Sequence, residues 1–259
     1  MANMHGSFIW YDLSTPDVDA AAEFYGAVVG WTADRHASDD TYRQWRAGDT
    51  HVGGLMAQSP EAGRGRPGWL GYIGVDDVDA TARAAEVAGG SVLVPPTDIP
   101  GVGRFARLAD PQGGVFYVMR GSVEGSSRAF EPAAIGHCGW NELVTDDPTA
   151  ALAFYCGLFG WDKGVAMPMG AMGDYQLLTL GGEDFGALMP RPPDAPPTGW
   201  NFYFQVPDID AATETAKARG AKLLHGPAEV PGGVYIIQAV DPFGAAFSLL
   251  GRKVDRGTA

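Results

Sequence analysis

The chain has 259 residues, 46% hydrophobic and 19% charged, with a formal charge of −13, the composition of a soluble globular protein. Its acidic balance, without a cluster of Lys and Arg, excludes recognition of nucleic acid or of anionic membranes by charge. No apolar run approaches the roughly 20 residues of a membrane span, and MANMHGSFIW holds no signal-peptide core, so a cytoplasmic location is expected.

The first element predicted is a strand from Trp10 to Thr15, where large apolar residues alternate with polar ones. After Pro16-Asp17 the apolar residues recur at Ala21, Phe24, Tyr25, Val28 and Val29, one face of a helix, with Asp17 placed as its N-cap and Gly30 as its stop. Strands follow at Thr41 to Trp45 and His51 to Met56, and SPEAGRGRPG then separates this module from the next. The second module reads as a strand over Trp69 to Val75, a helix over Asp76 to Ala88, and strands at Ser91 to Val94, Gly103 to Leu108 and Gly114 to Met119. A polar linker runs from Gly121 to Ala134. The stretch Trp10–Trp31 then recurs as Trp140–Trp161, with Leu13/Leu143, Thr15/Thr145, Asp17/Asp147, Phe24/Phe154, Tyr25/Tyr155 and Gly30/Gly160 identical, so the chain is an internal duplication. The third module continues with strands at Tyr175 to Leu180 and Phe185 to Met189. The fourth has strands at Trp200 to Val206, Lys222 to His225, Val234 to Ala239 and Ala245 to Leu250, and a helix over Ile209 to Arg219. The domains expected are 1–122 and 135–252, with a linker over 123–134 and a tail over 253–259. Cys138 and Cys156 lack Cys-x-x-Cys spacing, so neither a disulfide framework nor a zinc knuckle is expected.

Four strand-helix-strand modules, Asp17/Phe24/Tyr25 and Asp147/Phe154/Tyr155 closing on Gly-Trp, and Asp110-Pro111-Gln112-Gly113 and Asp241-Pro242-Phe243-Gly244 before the last strands resemble the vicinal oxygen chelate superfamily of glyoxalases, bleomycin resistance proteins and extradiol dioxygenases. The resemblance covers nearly the whole chain. It implies an α+β fold, a tandem of glyoxalase-like domains each built of two βαβββ modules, whose mixed sheet curves into a cup with the helices outside.

In metal-dependent relatives His, Glu or Gln side chains hold an ion at the cup floor. By the resemblance those positions fall here on Trp10, about Gly54, Leu70 and Tyr117 in the first domain, and on Trp140, about Ala187, Asn201 and Ser248 in the second. None is His, Asp, Glu or Cys, so no metal ligand and no cofactor are expected. Strand alternation instead puts Asp12 on the face of Trp10, and Glu142 on that of Trp140. A carboxylate walled by aromatic rings has a raised pKa unless paired, and serves either a ligand or a proton transfer. The expected ligand-binding residues are Trp10, Leu70, Tyr117, Trp140, Asn201 and Ser248, with the second cup the more polar. The leading expectation is metal-independent binding of a planar organic compound, as in the bleomycin-resistance branch, by a monomer acting as a pseudo-dimer or by a homodimer. The alternatives are an isomerase, lyase or dioxygenase, either metal-free with Glu142 or Asp12 as acid or base, or metal-dependent through ligands off the pattern.

Overall fold

A computed structural model describes residues 3–36, 39–58, 66–123, 125–193 and 197–254. Residues 59–65 of SPEAGRGRPG and 194–196 of PRPPDAPPTG lie outside the described residues. The first module comprises β1 (Phe8–Thr15), α1 (Val18–Val29), β2 (Thr32–His36), β3 (Asp39–Ala47) and β4 (Thr50–Ala57). The second comprises β5 (Gly68–Gly74), α2 (Val78–Val87), β6 (Ser91–Ile99), β7 (Gly103–Ala109) and β8 (Val115–Gly121). The third has β9 (Cys138–Thr145), α3 (Pro148–Phe159), β10 (Asp162–Pro168), β11 (Asp174–Leu180) and β12 (Glu183–Pro190). The fourth has β13 (Gly199–Val206), α4 (Ile209–Ala218), β14 (Lys222–Val230), β15 (Val234–Val240) and β16 (Ala246–Gly251).

The strands form two eight-stranded mixed sheets with the same order, β2-β3-β4-β1-β5-β8-β7-β6 and β10-β11-β12-β9-β13-β16-β15-β14. Within each module the opening strand pairs in parallel with the last, because the helix supplies the crossover, and the remaining strands fold back antiparallel. Two strands escape the sequence reading: β2 (TADRH) and β10 (DKGVAMP) are edge strands whose residues are mostly polar or exposed, so they carry no apolar alternation. For the same reason His36, expected in a loop, ends β2. His225, expected at a strand end, lies inside β14, which runs on to Val230.

The helix boundaries follow local chemistry. Asp17, Asp77, Asp147 and Asp208 each accept a first-turn N–H, from Ala20, Ala80, Ala150 and Ala211 at 3.0, 2.9, 3.0 and 3.2 Å. Gly30 and Gly160 stop α1 and α3 with φ of 89° and 66°, a left-handed conformation that a side chain would strain.

The residues segregate into two compact units. One holds Met1–Trp10, Leu70–Ser127 and Asn141–Asn201; the other holds Tyr11–Trp69, Arg128–Trp140 and Phe202–Ala259. The first unit therefore gathers the second and third modules, and the second unit the first and fourth. Each has its own aromatic core. In the first unit, buried Phe116, Phe154, Phe159, Trp161 and Trp200 surround Tyr155, whose hydroxyl donates to Asp110 Oδ2 at 3.0 Å and accepts from Trp200 Nε1 at 3.0 Å. In the second, Tyr25 donates to Asp241 Oδ2 at 2.9 Å and accepts from Trp69 Nε1 at 3.1 Å, among Trp31, Trp45 and Phe247. The other oxygen of each aspartate takes two backbone N–H groups of its own turn, Gln112 and Gly114 or Phe243 and Ala245, at 2.8–2.9 Å. Burial holds both aspartates above the usual carboxylate range despite these donors, and burial likewise pushes both tyrosines well up. The Phe-Tyr and Asp-Pro motifs are thus two ends of one kind of hydrogen-bonded network, closed between the first and fourth modules in one unit and between the second and third in the other.

Candidate functional site

Along β1, Tyr11 and Leu13 are fully buried in the core of their unit, so Asp12 and Ser14 take the opposite face. Asp12 is 4% exposed, and its Oδ1 accepts the Tyr42 hydroxyl of β3 at 2.9 Å. The bond passes over β4, where Gly54 stands in register with Asp12. A Cβ at Gly54 would overlap both the Tyr42 hydroxyl and the Asp12 carboxylate, so glycine here makes room for the pair.

The third module repeats the device. Glu142, 5% exposed, lies in register with Ala187; its Oε2 accepts the Tyr175 hydroxyl at 3.0 Å and its Oε1 accepts Asn201 Nδ2 at 3.3 Å. The longer glutamate carries its oxygens beyond the strand, and here the position facing it tolerates a methyl group. Both carboxylates are held by hydrogen bonds from neutral side chains of neighbouring strands.

The second and fourth modules contribute different surfaces, each within its own unit. In the former, Tyr72 and Tyr117 stand in register and stack at 4.3 Å between ring centres with 11° between planes; Phe105 leans on Tyr117, and Arg107 pairs in register with Tyr117. In the latter, Tyr203 is in register with Ser248, and Gln238 Nε2 donates to the Tyr203 hydroxyl at 2.7 Å. One surface is a flat aromatic stack beside a guanidinium; the other is a set of neutral hydrogen-bonding groups.

Of the residues singled out from the sequence, Asp12 sits with Tyr42, and Glu142 with Asn201, while Tyr117 and Ser248 are buried in register with tyrosines. Trp10, Leu70 and Trp140 are half-buried. Tyr42, Tyr72, Tyr175 and Tyr203 escaped the sequence reading. Tyr42 and Tyr175 were detectable, since each stands twelve residues before the Gly54 or Ala187 position. Trp31, Trp69, Trp161 and Trp200 are all buried in the core.

A divalent ion held as in metal-dependent relatives does not fit these residues. The eight positions offer one amide, one aliphatic hydroxyl and one phenol, and the space at Gly54 is filled by the Tyr42–Asp12 pair. Among the described residues no three His, Cys, Asp or Glu side chains come together to hold an ion. Three histidines are engaged elsewhere: His5 between the Leu158 carbonyl and the Asp76 N–H, His51 beside Asp34, His137 on the Arg128 carbonyl. Burial pushes the Cys138 thiol up to about 12, so it is inert as a nucleophile.

Residues 7–117 and 134–249 match the Glyoxalase/Bleomycin resistance protein/Dioxygenase superfamily. The chain is 33% identical over 248 residues to "Putative glyoxylase CFP32" of Mycobacterium tuberculosis (strain CDC 1551 / Oshkosh), with 93% of each chain covered. It is 32% identical over 276 residues to the anthracycline biosynthesis protein DnrV of Streptomyces peucetius, covering 95% of this chain and 93% of that one. Among solved structures, the Mn(II)-bound glyoxalase from Novosphingobium aromaticivorans is similar with a TM-score of 0.66 at 20% identity, over 99% of this chain and 87% of that one, a likeness of fold.

Proposed function

The chain belongs to the glyoxalase/bleomycin resistance protein/dioxygenase superfamily, and from that premise we propose that it binds and sequesters a planar, hydroxylated aromatic compound without using a metal ion. The observation that carries this reading is the tyrosine-held carboxylate, Asp12–Tyr42 and Glu142–Tyr175, built at the same place in both repeats. A buried carboxylate fixed by a phenol is a preorganised acceptor for ligand hydroxyls. The stacked Tyr72–Tyr117 pair offers flat apolar area to a flat ligand. The name of the relative from Streptomyces peucetius supports a polycyclic aromatic of the anthracycline kind.

The test is a titration of tryptophan fluorescence with a dihydroxyanthraquinone dye, before and after treatment with a chelator. Saturable quenching, unchanged by the chelator, is expected. Binding that disappears with the chelator and returns with added metal overturns the metal-free reading.

A second reading has its own support in the same carboxylates and in the name glyoxylase carried by the mycobacterial relative. Here Glu142 or Asp12 moves a proton in an isomerisation or lyase step, with the tyrosine hydroxyl holding the carboxylate in place. Glu142→Gln keeps the acceptor for Tyr175 but removes the base, so it should abolish turnover with the fold intact; full turnover in that variant excludes Glu142 as the base.

A further inference from the structure

One polar group on the carboxylate face of the first module lacks a partner within the protein. Ser14 is 6% exposed, and its hydroxyl oxygen is buried with no hydrogen bond. A strand turns alternate residues to the same face, so Ser14 stands on the face of Asp12, about 7 Å further along. Its register partner is Met56, which in turn pairs with Tyr42, the residue that holds Asp12. A buried hydroxyl without a partner destabilises the fold, whereas valine at the same place would remove that cost. The third module has that valine: its counterpart is Val144, two residues beyond Glu142 and in register with Met189. A second difference lies in the neighbouring row. Gln44 pairs in register with Gly54, where the third module pairs Leu177 with Ala187.

Resting on the binding function proposed above, we infer that Ser14 and Asp12 together form a hydrogen-bonding edge for the hydroxyl groups of the ligand. The carboxylate accepts from one ligand hydroxyl, an ionised carboxylate carrying about four acceptor sites. The Ser14 hydroxyl donates to, or accepts from, a neighbouring hydroxyl on the same ligand edge. In this assignment the first module engages two hydroxyls of an aromatic edge, and the third module, with Val144 in place of Ser14, engages one.

Two dyes that differ only in their hydroxyls, quinizarin and anthraquinone, measure this by quenching of tryptophan fluorescence in the full chain. Wild-type protein should bind quinizarin more tightly than anthraquinone, each hydrogen bond to a ligand hydroxyl adding about tenfold. Ser14→Val should cut that ratio about tenfold, leaving the share that Asp12 contributes, and should not lower the urea midpoint. Ser14→Ala, which removes the oxygen without adding volume, repeats the measurement should valine disturb the strand. A hydroxyl preference undiminished in both variants overturns the role of Ser14 alone, as does a urea midpoint that falls while the preference stays at its wild-type size. Failure of wild-type protein to bind either dye overturns the proposed function and this inference together.

Discussion

The two carboxylate clusters and the two tyrosine-aspartate cores were built by the same duplication, and they have diverged to different extents. In the cores the repeats match atom for atom: Tyr25, Asp241 and Trp69 make the contacts of Tyr155, Asp110 and Trp200, with corresponding bond lengths within 0.1 Å, 2.9 against 3.0 and 3.1 against 3.0. In the clusters the tyrosine remains but its surroundings change, Asp12 against Glu142, Ser14 against Val144, Gln44 against Leu177, Gly54 against Ala187. A buried network fails if any member is lost, so its composition is constrained as a set. The clusters lie outside those networks, and there two similar repeats have acquired unequal chemistry.

The sharpest way to break the equivalence of the cores is to remove one aspartate. Asp110→Ala leaves the Tyr155 hydroxyl and the N–H groups of Gln112 and Gly114 without their acceptor, and should cost about 4 kcal/mol in urea denaturation. Asp241→Ala should cost a similar amount, since its partners are the same in kind. A difference of more than about 2 kcal/mol between the two variants would show that the cores are not energetically equivalent.

A pair of smaller exchanges separates the clusters. Gly54→Ala forces a methyl group onto the Tyr42 hydroxyl and the Asp12 carboxylate, and should destabilise by about 1–3 kcal/mol while weakening quinizarin binding. The reverse exchange, Ala187→Gly, creates no clash and should cost about 1 kcal/mol or less. Equal costs by thermal melting would mean that the Tyr42–Asp12 bond does not depend on the missing side chain.

Much of this organisation was legible in the residues, for reasons that are local. Helix α1 could be read because Asp17 caps it, Gly30 ends it and Phe24 and Tyr25 fall on one face; α3 repeats those signals with Asp147 and Gly160. The placement of Asp12 and Glu142 opposite Leu13 and Leu143 followed from the period of a strand. What could not be read is long-range. Nothing near Tyr25 announces Asp241, because the pairing joins the first module to the fourth, and the tyrosines over Asp12 and Glu142 arrive from two strands away. The sequence points to the second repeat as the more polar; in the structure Asn201 reaches Glu142 there, and Ser14 and Gln44 stand on the corresponding face of the first.

Acidity offers a finer probe of the cores. Burial raises the Asp110 and Asp241 carboxyls above their value in the unfolded chain, so the folded state takes up protons first as pH falls. The sign follows from linkage: where the folded state binds more protons than the unfolded, stability rises on acidification, here from the raised folded value down to about 3.8. Asp110→Asn keeps an oxygen for the backbone N–H groups but cannot titrate. Its stability deficit relative to wild type, measured by urea denaturation at a series of pH values, should therefore widen as pH falls through that window. A deficit that narrows instead would mean that the hydrogen bonds from Tyr155, Gln112 and Gly114 outweigh burial.

The smallest effect concerns the helix caps, where the two repeats share the capping aspartate but differ in the residue after it. Asp17 and Asp147 each accept one N–H at 3.0 Å from an exposed position. Replacing either with alanine should cost about 1 kcal/mol. The two helices differ in the residue that follows the cap: Val18 begins α1, whereas Pro148 begins α3 and fixes its own φ near the helical value. Proline reduces the freedom of the unfolded chain at that turn, so α3 depends less on its aspartate to start. Asp147→Ala should accordingly be the milder of the two by a few tenths of a kcal/mol, a difference that paired urea curves can resolve. A larger loss at Asp147 would mean that the proline adds nothing to nucleation and that the cap alone sets where α3 begins.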